Sequence, residues 1–155
     1  MKSVFFYGYP IGTIGIAEDN GAITHVVFGG NNKNDFNGFA AAETPLVKKA
    51  STQLAEYFAG KRKRFVLPLA PVGTEFQRSV WKALQTIPFG ETRSYGDIAA
   101  LIGNPRASRA VGMANNRNPI SIIIPCYRVI GSDGSLTGYG GGLDVKQYLL
   151  DLEKI

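Results

Sequence analysis

The apolar residues of this chain change period near residue 72, and that change restricts the fold to two joined parts. Before it, residues 2–8, 12–17 and 22–28 are short β-branched and aromatic runs, separated by Tyr9-Pro10 and by Asp19-Asn20-Gly21. Runs of this length bounded by turn residues predict strands joined by tight reversals. The Gly- and Asn-rich stretch 29–38 reads as a loop. Thr44 as cap and Pro45 in the first turn open a helix that reaches Tyr57 or Phe58 and stops at Gly60. Leu46, Val47, Ala50, Leu54, Tyr57 and Phe58 repeat along it at helical spacing. A further strand is predicted over 64–69. Pro68, Pro71 and Gly73 then mark a linker, so the expected division is an N-terminal α/β subdomain, 1–71, and a second domain, 72–155.

The second part is written for short helices. Thr74-Glu75-Phe76-Gln77 has the form of a capping box ahead of Phe76, Val80, Trp81 and Leu84, and Pro88 and Gly90 end that helix. Ser94-Tyr95-Gly96-Asp97 opens another, broken by Gly103-Asn104, and Pro105 starts a third that continues to about Asn116. Two short helices across a tight Gly-containing turn predict a helix-turn-helix. The fold class is therefore α+β: an antiparallel sheet plus helix, followed by a mainly helical domain with a winged-helix-like helix-turn-helix. Projected at 3.6 residues per turn, Ala107, Val111 and Ala114 share the inward stripe of the last helix. Arg109 lies nearly opposite, among Ser108, Gly112 and Asn116. A glycine inside a helix is about 1 kcal/mol less favourable than alanine, so Gly112 points to a surface that must come close.

Formal charge is +5, which permits a polyanionic partner. Residues 105–130 hold Arg106, Arg109, Arg117 and Arg128 and no acidic residue, whereas Lys61-Arg62-Lys63-Arg64 reads as a solvated stretch. One cysteine excludes an internal disulfide, and one cysteine with one histidine leaves too few soft ligands for a structural zinc. The expectation is a chain with no metal, no cofactor and no membrane span. It would be an intracellular monomer: cytoplasmic, or nuclear in a eukaryote.

The cysteine carries the chemistry. Ile122-Ile123-Ile124-Pro125-Cys126-Tyr127-Arg128 delivers the thiol to a proline-bounded stop, expected at the end of a strand over Ile122–Ile124. Arg128 and the upstream arginines are expected to favour the thiolate, which is the nucleophilic form. Residues 131–142 hold six glycines around Tyr139, a loop suited to wrapping closely around a ligand. There is no second cysteine to resolve a covalent intermediate. The single histidine, His25, lies in the strand meander and reads as a core-edge residue, so a cysteine–histidine hydrolase dyad is disfavoured.

From about Gly73 to Glu153 the chain resembles the O6-alkylguanine-DNA alkyltransferases. The resemblance rests on Phe76-Gln77 with Val80-Trp81, Ile87-Pro88-Phe89-Gly90, Ser94-Tyr95, Gly103-Asn104-Pro105 and Arg109-Ala110-Val111-Gly112. It continues through Asn118-Pro119-Ile120, Ile124-Pro125-Cys126, Arg128-Val129-Ile130 and Gly138-Tyr139 to Gly141-Gly142-Leu143. It implies single-turnover, irreversible transfer of an alkyl group from O6 of guanine in double-stranded DNA to Cys126, after minor-groove binding and base flipping. No protein partner is implied. Tyr95 would help rotate the nucleotide and stabilise the departing guanine, and Arg109 would fill the gap left in the stack. Ala107, Ser108 and Gly112 would face the DNA, with Ser132 a candidate phosphate contact. Val129, Tyr139 and Gly140 would line the guanine pocket, and Asn118 would brace the turn between helix and active-site strand.

One position departs from the family. Its usual Pro-Cys-His-Arg reads here with Tyr127 in place of histidine, while the glutamate that the histidine reaches through water is kept as Glu153. A phenol, with a pKa of about 10, is a poor base at neutral pH but can relay a hydrogen bond. Alkyl transfer with an altered pH dependence is the expectation. The alternative within the superfamily is a protein that binds alkylated DNA without chemistry; such proteins lack the cysteine. A sequence-selective helix-turn-helix regulator and an unrelated protein with a structural cysteine are the remaining readings.

Overall fold

The structure, a computed structural model, describes residues 2–29, 36–137, 139 and 142–154. The chain separates into two compact units: Met1–Pro71 with Pro119–Ile123, and Val72–Asn118 with Ile124–Ile155.

In the first unit, β1 (Lys2–Tyr9), β2 (Gly12–Asp19) and β3 (Ala22–Phe28) form an antiparallel meander. A two-residue edge strand, β4 (Ala40–Ala41), pairs parallel with β1, giving the order β3-β2-β1-β4. The β2–β3 reversal is made by Asn20 and Gly21, both at positive φ (52° and 80°), so the Asn-Gly pair produces a tight hairpin. Helix α1 (Pro45–Phe58) starts where Thr44 Oγ1 accepts from Val47 N at 3.2 Å. Its Val47, Ala50, Leu54 and Tyr57 are fully buried, as are Ile14 and Ile16 of β2. Val4, Ala17 and Phe36 make a second cluster with Phe6, Val27 and Phe39.

The strand predicted over 64–69 does not form. Only Leu69 bridges Ile23. The Gln53 side chain replaces the ladder, donating to Val66 O at 3.1 Å and accepting from Val66 N at 2.9 Å. Pro68 has no N–H to offer, so a regular strand would gain little there. In the basic stretch, Arg62 pairs with Glu56 at 3.0 Å.

In the second unit, α2 (Glu75–Leu84) begins with the complete capping box of Thr74 and Gln77. A parallel pair, β5 (Arg93–Ser94) and β6 (Val129–Ile130), follows from residues far apart in sequence. Helix α3 (Tyr95–Leu101) is capped by Ser94 and Asp97, α4 (Ser108–Asn116) packs on α2 and α3, and α5 (Leu143–Glu153) closes the unit. Trp81 is 1% exposed and its indole N–H donates to Ala114 O at 2.8 Å, joining α2 to α4. Truncating such a residue to alanine costs about 3–5 kcal/mol. Helix α4 starts at Ser108, three residues later than the proline at 105 predicts. Pro105 and Arg106 instead form the turn, with Ala107 N donating to Asn104 O at 3.0 Å.

Candidate active site

The segment leading to Cys126 is not the strand its isoleucines predict. Ile120 bridges Val26, but residues 121–124 turn, and Ile122 sits at φ 69°. A β-branched residue in the left-handed region is strained and must be held there by its surroundings. Pro119 and Pro125 bracket the segment. Asn118 Nδ2 donates to Ile124 O at 2.8 Å, so the carbonyl a ladder would use is taken by a side chain. Cys126 then opens the 3₁₀ turn Cys126–Arg128, which runs into β6.

Cys126 is 4% exposed. Burial pushes its thiol up to about 11, against lowering contributions from an Asn118 hydrogen bond, the Lys146 charge and a Tyr139 hydrogen bond. The resting protein therefore carries a thiol at neutral pH, contrary to the sequence expectation of arginine-favoured thiolate. Removal of the sulfur from water outweighs the nearby dipoles and charge. Arg128 does not serve the thiol directly, because its guanidinium is committed to Glu153.

That commitment organises the floor of the site. Glu153, 4% exposed at the end of α5, accepts from Arg128 Nε and Nη2, both at 2.9 Å. It also accepts from Tyr127 Oη at 2.5 Å and from Gly90 N at 3.0 Å. A carboxylate at a helix C-terminus opposes the helix dipole, and the bidentate guanidinium offsets that repulsion. Arg128 Nη1 also donates to Ile87 O at 2.7 Å. Gly90 stands at φ +82°, and a Cβ there would lie 3.2 Å from Glu153 O, so glycine is required to present this N–H.

Lys146, fully buried on α5, was not singled out from sequence. Its Nζ donates to Val129 O at 2.6 Å and to Thr137 O at 2.8 Å. Desolvation lowers its pKa, against a smaller raising contribution from Cys126 in its ionised form. The signal was present: residues 146, 149 and 153 follow helical spacing and all three are buried. Asn115 was also missed, though it neighbours Val111 and Ala114 on the inward stripe. It is 1% exposed and donates from Nδ2 to Cys126 O at 3.3 Å. Its Oδ1 has no partner among the described residues.

The other anticipated residues fall in two places. Val129 is fully buried behind the cysteine turn, and Tyr139 keeps its hydroxyl buried beside the thiol. Gly140 lies outside the described residues. On the outer side, Arg109 is exposed on α4 while Ser108 and Gly112 are half-buried. A Cβ on Gly112 would stand 3.7 Å from Tyr95 Cδ1, so the Tyr95 ring lies along this helix. Ala107 is half-buried at the N-cap and adds no side-chain cap. Ser132 is exposed in the loop after β6. His25, in the first unit, meets Thr24 Oγ1 at 2.9 Å and stacks edge-on to Phe36 and Phe39.

An open cleft of about 440 Å³ lined by Thr86, Arg93, Asp97, Ile98, Ala100 and Leu101 includes none of these residues. Among the described residues, no group of three or more His, Cys, Asp or Glu side chains could hold a metal ion. Among them, too, no helix is long and apolar enough to cross a membrane.

Two family descriptions match the chain. Residues 5–71 match the 6-O-methylguanine DNA methyltransferase ribonuclease-like domain, and residues 75–155 match the DNA-binding domain of the same name. The methylated-DNA–protein-cysteine methyltransferase of Methanosarcina acetivorans is 56% identical over 145 residues, covering 93% of each chain. The constitutive enzyme of that name from Bacillus subtilis is 48% identical over 151 residues, covering 94% of this chain and 92% of its own. The solved O6-methylguanine methyltransferase of Mycobacterium tuberculosis superposes with TM-score 0.91 at 46% identity, over 99% of this chain and 93% of that one. The M. tuberculosis OGT solved in complex with DNA gives TM-score 0.89 at 46% identity, over 98% and 92%.

Proposed function

Because the chain belongs to the 6-O-methylguanine DNA methyltransferase family, we propose that it repairs alkylated guanine in double-stranded DNA by moving the alkyl group onto Cys126. The Cys126 sulfur attacks the alkyl carbon, the carbon–O6 bond breaks as the carbon–sulfur bond forms, and the thiol proton is finally gained by the released guanine. The carbon–sulfur bond of the thioether is opened neither by thiol exchange nor by hydrolysis at neutral pH, so each molecule acts once.

One observation carries this reading. The only thiol is seated among Asn118, Tyr139 and Lys146, each of which favours its ionised form, instead of in a wholly apolar packing site. A structural cysteine needs no such company. Burial keeps the sulfur protonated at rest, and the surrounding donors and charge stabilise it when the proton leaves. Tyr127 donates to Glu153, which enriches its oxygen in electron density and makes it a better acceptor for the departing proton through water. Arg128 and Gly90 hold Glu153 in the orientation that serves Tyr127.

On the outer face, Arg109 projects from a helix whose small residues let it approach a duplex closely. Flipping a base costs a few kcal/mol and least for a weakly paired one, which favours damaged sites. Tyr95 would donate to the departing guanine, and Asn118 would hold the turn that carries the cysteine. Ala107, Ser108 and Gly112 would meet the backbone, with Ser132 on a phosphate. Val129, Tyr139 and Gly140 would line the base pocket.

The test is incubation with a duplex carrying O6-methylguanine, followed by mass analysis of the Cys126 peptide. The expected result is one methyl in place of the thiol hydrogen, absent from Cys126→Ser. Damage-dependent binding with an unmodified peptide would instead identify a non-catalytic binder.

A further inference from the structure

Tyr95 and Thr137 lie on different elements, α3 and the loop after β6, yet their hydroxyls meet at 2.6 Å. The phenyl ring of Tyr95 runs along α4 at Gly112, so its tip is what remains to be oriented, and Thr137 holds it. Thr137 is itself fixed from the other side. Its carbonyl accepts from Lys146 Nζ at 2.8 Å, the ammonium that also grips Val129 O at 2.6 Å and acts on the Cys126 thiol. One exposed loop residue thus carries the tyrosine on its side chain and the lysine on its backbone. A hydrogen bond between solvent-facing hydroxyls adds little to stability, so its geometry calls for another reason.

We propose that Thr137 is a positioning residue for alkyl transfer, acting through Tyr95; this rests on the alkyl-transfer reading above. A threonine hydroxyl is both donor and acceptor. At rest it can accept from the phenol. When the Tyr95 proton turns toward the departing guanine, the Thr137 hydroxyl donates to the phenol oxygen. That keeps the ring in place and strengthens its donated bond, as in any hydrogen-bonded chain. No proton leaves the chain and no bond other than hydrogen bonds changes at Thr137.

The experiment is single-turnover transfer from an O6-methylguanine duplex at varied protein concentration, with wild type, Thr137→Val and Thr137→Ser. Valine keeps the shape and removes the hydroxyl. Thr137→Val is expected to lower the limiting rate about tenfold, less than the roughly 100- to 1,000-fold cost of losing a direct transition-state donor, because Thr137 acts through Tyr95. Half-saturation should stay within about twofold, and serine should restore the rate. Carboxamidomethylation of Cys126 by iodoacetamide, without DNA, should be unchanged. In a Tyr95→Phe background the valine substitution should have no further effect. A wild-type rate in Thr137→Val, a serine variant as slow as valine, or an equal loss toward iodoacetamide would overturn the inference. A wild type that never methylates Cys126 would overturn the functional reading and this inference with it. A wild type that transfers alongside an unaffected Thr137→Val would overturn this inference alone.

Discussion

Replacing Glu153 by leucine removes, in one step, the acceptor of hydrogen bonds from Arg128 Nε, Arg128 Nη2, Tyr127 Oη and Gly90 N. The two charged side chains are 8% and 2% exposed, so water cannot take over the lost role. Stripping one partner from a buried ion pair costs about 3–5 kcal/mol. Removing an anion from the C-terminus of α5 returns about 0.3–1 kcal/mol by relieving the helix dipole. The net loss is then about 2–5 kcal/mol. At about 2–4 °C per kcal/mol for a chain of this size, the melting midpoint should fall by about 4–20 °C. Arg128→Met should cost a similar amount. The double variant Arg128→Met/Glu153→Leu should lose much less than the sum of the two, because methionine and leucine fill the space without leaving a buried charge. Thermal melts and urea titrations of the four proteins at pH 7.5 measure the cycle. A loss below about 1 kcal/mol in Glu153→Leu, or simple additivity in the double variant, would refute the account of the pair.

Two further outcomes follow from the site. With its pKa raised to about 11, Cys126 is a thiol below that pH, so its iodoacetamide reactivity without DNA should climb about tenfold per pH unit from 7 toward 10 before levelling. A plateau already reached by pH 8 would contradict this; Lys146→Met should shift the profile to higher pH and Tyr127→His should change its shape. Arg109→Ala, at an exposed position, should leave stability within about 0.5 kcal/mol while slowing transfer from duplex DNA. Transfer from a free O6-alkylguanine base should be untouched, and equal loss on both substrates would show that Arg109 does not act through the helix.

The amino-acid order alone determined the elements whose causes are local. Thr44, Thr74 and Ser94 cap helices because their oxygens reach N–H groups three residues ahead. Asn20-Gly21 turns a hairpin because those residues accept positive φ. The lone cysteine in its Pro-Cys-Tyr-Arg setting, the outward Arg109 and the family motifs were also legible, because each is a residue type at a fixed short spacing. The tertiary structure decided what depends on distant neighbours. Three isoleucines favour a strand, yet a side chain from Asn118 and two prolines made 121–124 a turn. A lysine can end in water or in the interior at equal local propensity, and only the packed unit put Lys146 beneath Val129 and Thr137. Arginines near the thiol in sequence promised a thiolate. Packing turned Arg128 to Glu153 and buried the sulfur, so the energy of desolvation, a property of the surrounding volume, set its protonation.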